Sequence, residues 1–193
     1  MKKQITIAAL FSLFSGIASA HPGHGLAGHG LDSAYAGFMH PFTGWDHLLV
    51  MLAIGVWAAK LGGKARWQLP LTFVAIMATG AVLGLSGLNF AFAETAIAAS
   101  VMAMGVLLMM SLPINKMMQL SITALFALFH GLAHGIELQS QSSLAALGGM
   151  LVATAMLHSL GLLMASQRVK MAHVLNNSFA WLLLLVGGYL LLG

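Results

Sequence analysis

Six apolar stretches follow one another along this chain, at roughly 38–59, 67–85, 92–112, 117–137, 143–166 and 174–192, joined by short polar links. In a hydrocarbon layer no water is available to backbone N–H and C=O groups, so a segment of about 20 such residues is stable only as a helix that bonds itself. The pattern therefore predicts an all-α, polytopic membrane helix bundle with six transmembrane helices. Composition agrees: 60% of the residues are hydrophobic and 6% are charged, against about 25% charged in a soluble domain. The chain contains no cysteine, which excludes disulfides, thiolate zinc sites and iron–sulfur clusters and leaves His, Asp, Glu and Met as candidate ligands.

The first 20 residues read differently. Lys2 and Lys3 precede an apolar run over 5–17 and then Ala18-Ser19-Ala20, the layout of a cleavable signal peptide. Three regions are thus expected: a signal at 1–20, a His/Gly-rich leader at 21–36 outside the cytoplasm, and a six-helix transmembrane domain at 37–193. Residues 21–34 have no apolar period and are expected to be loop. With both mature ends outside, all six remaining basic residues (Lys60, Lys64, Arg66, Lys116, Arg168 and Lys170) fall in inner loops, as the positive-inside rule requires. Trp57 and Trp67 would flank the inner boundary, and Tyr35, Phe42, Trp45 and Tyr189 the outer one, as aromatic belts. The net charge of +4 rests on few residues, so the high pI gives no reason to expect a nucleic-acid partner.

Two polar clusters interrupt the apolar pattern. Asp46 and His47 stand at the mouth of the first apolar stretch, with His40 just before them; His130, His134 and Glu137 lie at the end of the fourth. An ionisable group in a bilayer costs a few kcal/mol unless partnered, and defaults to a functional role. On a helix His130, His134 and Glu137 project from one face. The topology brings both clusters, and Glu94 at the start of the third helix, into the outer half of the membrane. Their imidazole nitrogens and carboxylate oxygens suit a divalent ion such as Ni, Co or Zn, with Asp46 either a ligand or the group that orients a liganding imidazole. Pro41 and Gly44 are expected to break the helix and free backbone carbonyls, as in transporter sites.

Other candidates are weaker. His21, His24 and His29 in the leader could hold a metal loosely or be solvated. His158 is either an accessory ligand or a satisfied interhelical hydrogen-bonder. The methionines of the third helix read first as gap-filling core, and Gly80 and Gly84 as a close helix contact of the small-xxx-small type. Gly84-Leu85-Ser86-Gly87 is similar to the serine motif of rhomboid proteases, but no histidine is placed to activate Ser86. His130-x-x-x-His134 has the spacing of helical zinc sites, yet Gly131 stands where zincins carry their general base. The chain has no G-x-x-x-x-G-K-[ST] loop for nucleotide hydrolysis.

His40-Pro41-Phe42-Thr43-Gly44-Trp45-Asp46-His47 resembles the H-P-x-x-G-x-D-H signature of the HupE/UreJ family, hydrogenase and urease accessory membrane proteins. Phe129-His130-Gly131-Leu132-Ala133-His134-Gly135-Ile136-Glu137 resembles its second signature, F-H-G-x-A-H-G-x-E. The resemblance implies a non-enzymatic secondary permease in the bacterial inner membrane. It would carry nickel, or cobalt, from periplasm to cytoplasm for metalloenzyme maturation, with His40, Asp46, His47, His130, His134 and Glu137 binding the cargo. The metal is then cargo and not a prosthetic group, and the nickel-enzyme maturation machinery is the implied partner. Two other classes remain open at this stage: an intramembrane zinc-dependent hydrolase, and a metal-binding accessory or sensor protein that transports nothing.

Overall fold

The computed structural model describes residues 30–110, 112–138, 143–165 and 172–192. The expected signal peptide and His21, His24 and His29 lie outside these residues. Among the described residues there are seven α-helices: α1 (Gly30–Met39), α2 (Trp45–Leu61), α3 (Ala65–Leu85), α4 (Ala93–Met110), α5 (Lys116–Glu137), α6 (Ser143–Met164) and α7 (Ala172–Leu192), with a 3-10 turn at His40–Phe42 between α1 and α2. No strand occurs among the described residues. Helices α3 to α7 are each long and apolar enough to cross a bilayer, and their ends fall within two residues of those expected from hydropathy.

The first apolar stretch departs from expectation. It is two helices bent by 79° at residues 43–44, and it completes a sixth span only if the bent pair is counted as one. Pro41 lies in the first turn of the 3-10 element, and Gly44 is extended, at φ −107° and ψ 124°. The proline has no N–H to continue the helical ladder, so the chain tightens, stops and restarts in a new direction. Two of the carbonyls at the break are already taken. Thr43 donates to the His40 carbonyl from its N–H (3.0 Å) and from its Oγ1 (2.7 Å), and Leu48 N–H takes the Gly44 carbonyl.

Residues 30–34, expected to be loop, are helical and begin α1. The segment lacks a wide apolar face, but Ser33 and Gly37, one turn apart, are buried. Gly37 lies against the Ala146 backbone, and Gly149 against the Ala34 carbonyl. A pair of glycines thus seats α1 on α6, the small-residue contact that holds helices together where no water drives them.

Helix α2 is the hub, buried along most of its length and touching α3, α4, α6 and α7. Trp57 belongs to this core, 4% exposed, and is not an interfacial belt residue. Trp67, Trp45, Tyr35, Phe42 and Tyr189 are exposed, as belt residues are. Around α2 the most extensive pairings are α3 with α5, α4 with α7, and α6 with both α1 and α2. The α3–α5 contact joins two small-xxx-small pairs: Gly80 lies against the Gly131 Cα, and Gly84 against the Gly135 Cα. Ser86, at the end of α3, donates its hydroxyl to the Leu83 carbonyl at 2.6 Å.

Charge is segregated along the bundle. Lys64 and Lys116 line one cavity of about 210 Å³ at the end where α3 and α5 begin. Lys60, in the last turn of α2, donates to the Leu108 carbonyl near the end of α4. Asp46, Glu94 and Glu137 lie at the opposite end.

Because Gly135 faces the Ala81 carbonyl and the Gly84 Cα while Gly148 faces nothing within 4 Å, the two respond differently to an added methyl. Gly135→Ala is expected to destabilise the bundle by about 1–3 kcal/mol through overpacking, and Gly148→Ala to leave it unchanged. Thermal unfolding of the two variants in detergent checks this.

Candidate metal site

Three segments converge where the 79° break meets the end of α5. The 3-10 turn presents His40, the first turn of α2 presents Asp46 and His47, and the last two turns of α5 present His130, His134 and Glu137. The break serves this arrangement directly: His40 departs from the α2 axis and stands beside His134, with ring centroids 4.9 Å apart. His47 lies 4.4 Å from the His134 ring and 5.1 Å from the His130 ring. The glycine contacts with α3 set the register of the α5 pair, since His130 and His134 immediately precede Gly131 and Gly135.

The cluster is deeply enclosed. His130 and His134 are 0% exposed and His47 is 8% exposed; His40 and the Glu137 carboxylate reach solvent most, and Asp46 in part. Glu137 Oε2 joins His40 Nε2 (3.0 Å) and His134 Nδ1 (3.3 Å). Ligand atoms of His40, His134 and Glu137 all lie within 4.8 Å of one another, close enough to surround one ion.

The buried imidazoles share a further property. His47 Nδ1 faces Asp46 Oδ1 at 2.6 Å, and His130 Nδ1 faces the Phe126 carbonyl at 2.9 Å. An oxygen acceptor at Nδ1 fixes the proton there and leaves the Nε2 lone pair free, which is how second-shell groups prepare a histidine to bind a metal. The Nε2 atoms of His47, His130 and His134 are buried without a hydrogen-bond partner. An unpaired polar atom in such a setting carries a desolvation cost of about 1–3 kcal/mol, and a cation would remove it.

The structure thus gathers all six primary residues into one cluster. Asp46 orients His47 twice over, since its Oδ1 also accepts the His47 backbone N–H at 2.8 Å. Glu94 stands aside on the first turn of α4 and shares with Asp46 a half-open cavity of about 200 Å³, also lined by Thr95, Ala98, Leu190 and Leu191. His158 lies outside the cluster, on α6. Phe73, whose ring touches both His130 and His158, and the Phe126 carbonyl had no signal in the sequence: an apolar ring in an apolar helix and a backbone oxygen carry no pattern of their own.

The bundle and this cluster define a multi-pass membrane protein with a histidine–carboxylate site at one end. The chain belongs to the HupE/UreJ family, whose model, described as HupE / UreJ protein, matches residues 8–190. It is 41% identical over 190 residues to Protein HupE of Rhizobium leguminosarum bv. viciae, covering 97% of this chain and 96% of that one. No solved structure matches.

The hydrogen bonds specify a tautomer: His47 and His130 are expected to carry their proton on Nδ1 in the metal-free protein. Nitrogen-15 NMR of selectively labelled protein should find Nε2 unprotonated in both, and protonated Nε2 resonances would contradict the arrangement.

Proposed function

We propose that this protein is a secondary permease that carries a divalent transition-metal ion, nickel foremost and cobalt next, across the bacterial inner membrane into the cytoplasm for metalloenzyme maturation. The observation that carries this reading is the set of buried imidazoles at the acidic end of the bundle, each with Nδ1 on an oxygen and Nε2 unpaired. Imidazole with carboxylate suits borderline ions of this kind. Membership of the HupE/UreJ family supports the accessory role.

His47, His130 and His134 are the imidazole ligands, His40 and Glu137 complete the site at its open side, and Asp46 holds His47 in its liganding tautomer. The acidic end faces the periplasm and the basic end the cytoplasm, by the positive-inside rule. Carboxylates at the periplasmic mouth concentrate cations, and Glu94 extends that field toward α7. The membrane potential favours inward movement of a dication by about 4–5 kcal/mol per 100 mV, so uptake requires no nucleotide hydrolysis.

Uptake of several metals into sealed vesicles tests the reading, since neither a membrane hydrolase nor a sensor moves metal across the bilayer. His134→Ala is expected to reduce nickel uptake at least about tenfold while the protein still inserts, in the range found when a metal site's ligands or their supports are removed. Wild-type uptake by a well-inserted His134→Ala protein would remove His134 from the site.

The leader and the core are expected to behave differently. Deletion of residues 24–30 should slow uptake at scarce metal and leave the saturating rate intact, because a histidine tract at the entrance would collect ions without forming the obligatory path. Asp46→Ala should lower the saturating rate itself. Initial rates over a range of metal concentrations separate the two.

A further inference from the structure

A second group of donor atoms lies deeper in the bundle. His158 is 1% exposed, and its Nδ1 donates to the Met51 carbonyl on α2 at 2.7 Å. That bond fully accounts for a structural histidine, yet it leaves Nε2 buried and unpartnered, in the same state as the nitrogens of the outer cluster. One turn earlier on α6, Thr154 donates its hydroxyl toward the Met51 sulfur at 3.4 Å and the Met77 sulfur at 3.9 Å. Thioethers from two different helices therefore meet over one hydroxyl, on the α6 face that also bears His158. All four residues are essentially inaccessible to solvent.

Phe73 connects this group to the outer cluster. Its ring centroid is 5.7 Å from that of His130 and 5.0 Å from that of His158, and it precedes Met77 by one turn on α3. Ring contacts thus run without interruption from His40 through His134, His47, His130 and Phe73 to His158. His158 stands six residues before the end of α6, about 9 Å of helix at 1.5 Å per residue.

We propose that His158, Met51, Met77 and Thr154 form a second, inner binding site for the transported cation, reached from the outer cluster past the Phe73 ring. This rests on the permease reading of the outer site. None of the four residues is a carboxylate; Asp46, Glu94 and Glu137 lie toward the outer end of the bundle. One imidazole nitrogen and two thioether sulfurs bind a borderline or soft ion and offer little to the hard cations magnesium and calcium. The missing anion also keeps binding weak, and conduction needs an ion to leave as readily as it arrives. The outer site captures and the inner site selects and releases.

The test uses the full chain in lipid nanodiscs for nickel titrations and in proteoliposomes for uptake. The wild type is expected to bind two nickel ions, the second at least about tenfold more weakly than the first. His158→Asn keeps a donor for the Met51 carbonyl but has no nitrogen at the Nε2 position. It should bind one ion with the tight affinity unchanged, and its saturating uptake rate should fall about tenfold or more with little change in the half-saturating concentration. Met51→Leu with Met77→Leu preserves volume and removes the sulfurs; it should weaken the second ion about tenfold and abolish sulfur scattering in nickel X-ray absorption.

A single nickel ion in the wild type, or two ions and wild-type uptake in His158→Asn, would overturn the proposal and leave His158 a hydrogen-bonding residue. Unchanged binding in the double leucine variant would overturn it for the thioethers. His134→Ala separates this failure from that of the outer site: it should lose the tight ion, and its retention of that ion would refute the outer assignment whatever happens at His158.

Discussion

The backbone contact between α3 and α5 is the constraint on which the rest depends. Gly80 and Gly84 meet Gly131 and Gly135 at a distance no side chain permits, so neither helix can slide or turn without opening a gap or a clash. Apolar packing alone would not fix this register, because lipid tails satisfy leucine as well as another leucine does. The two histidines of α5 are each adjacent in sequence to one of these glycines, and a residue next to a contact point on a helix is rotated by about 100° from it. The glycines hold α3, and the imidazoles are thereby turned toward the start of α2.

What the imidazoles meet there is set by a second device, the break at Pro41 and Gly44. A straight helix through residues 38–59 would place His40 and His47 seven residues apart on one stripe, about 10 Å from each other along the axis. The bend shortens this to a ring separation of 6.0 Å and lets both rings touch His134. The turn is stable because its exposed carbonyl at His40 is taken twice by Thr43. Sequence chemistry, local geometry and site are linked here within eight residues.

Much of this was legible beforehand, and the physical reasons are specific. Five spans could be bounded closely because a bilayer imposes both length and apolarity. The partnership of His40, Asp46, His47, His130, His134 and Glu137 could be read from topology, since parity of crossings puts the start of α2 and the end of α5 at one end. The close approach at Gly80 and Gly84 followed from their spacing alone. What could not be read was anything decided by long-range packing. Residues 30–34 form helix because two glycines let α1 press against α6, a contact invisible in local composition. Trp57 is buried because α2 is surrounded on every side, while hydropathy shows only that it stands near a helix end. His158 has one satisfied nitrogen and one bare one, a distinction that exists only when α2 and α6 are in contact.

The preferred pairings divide the bundle into three bodies: α1 and α2 with α6, α3 with α5, and α4 with α7. Each contributes a carboxylate at the acidic end, Asp46, Glu137 and Glu94 in turn, and α1 of the first body also carries Asp32. The histidine cluster therefore lies inside none of them; it straddles the seam between the first two, with His40 and His47 on one bank and His130 and His134 on the other. A cation bound across such a seam would act as a rivet between the two groups of helices. While it stayed, the two would be clamped, and any rocking of one body on the other would pull its ligands apart.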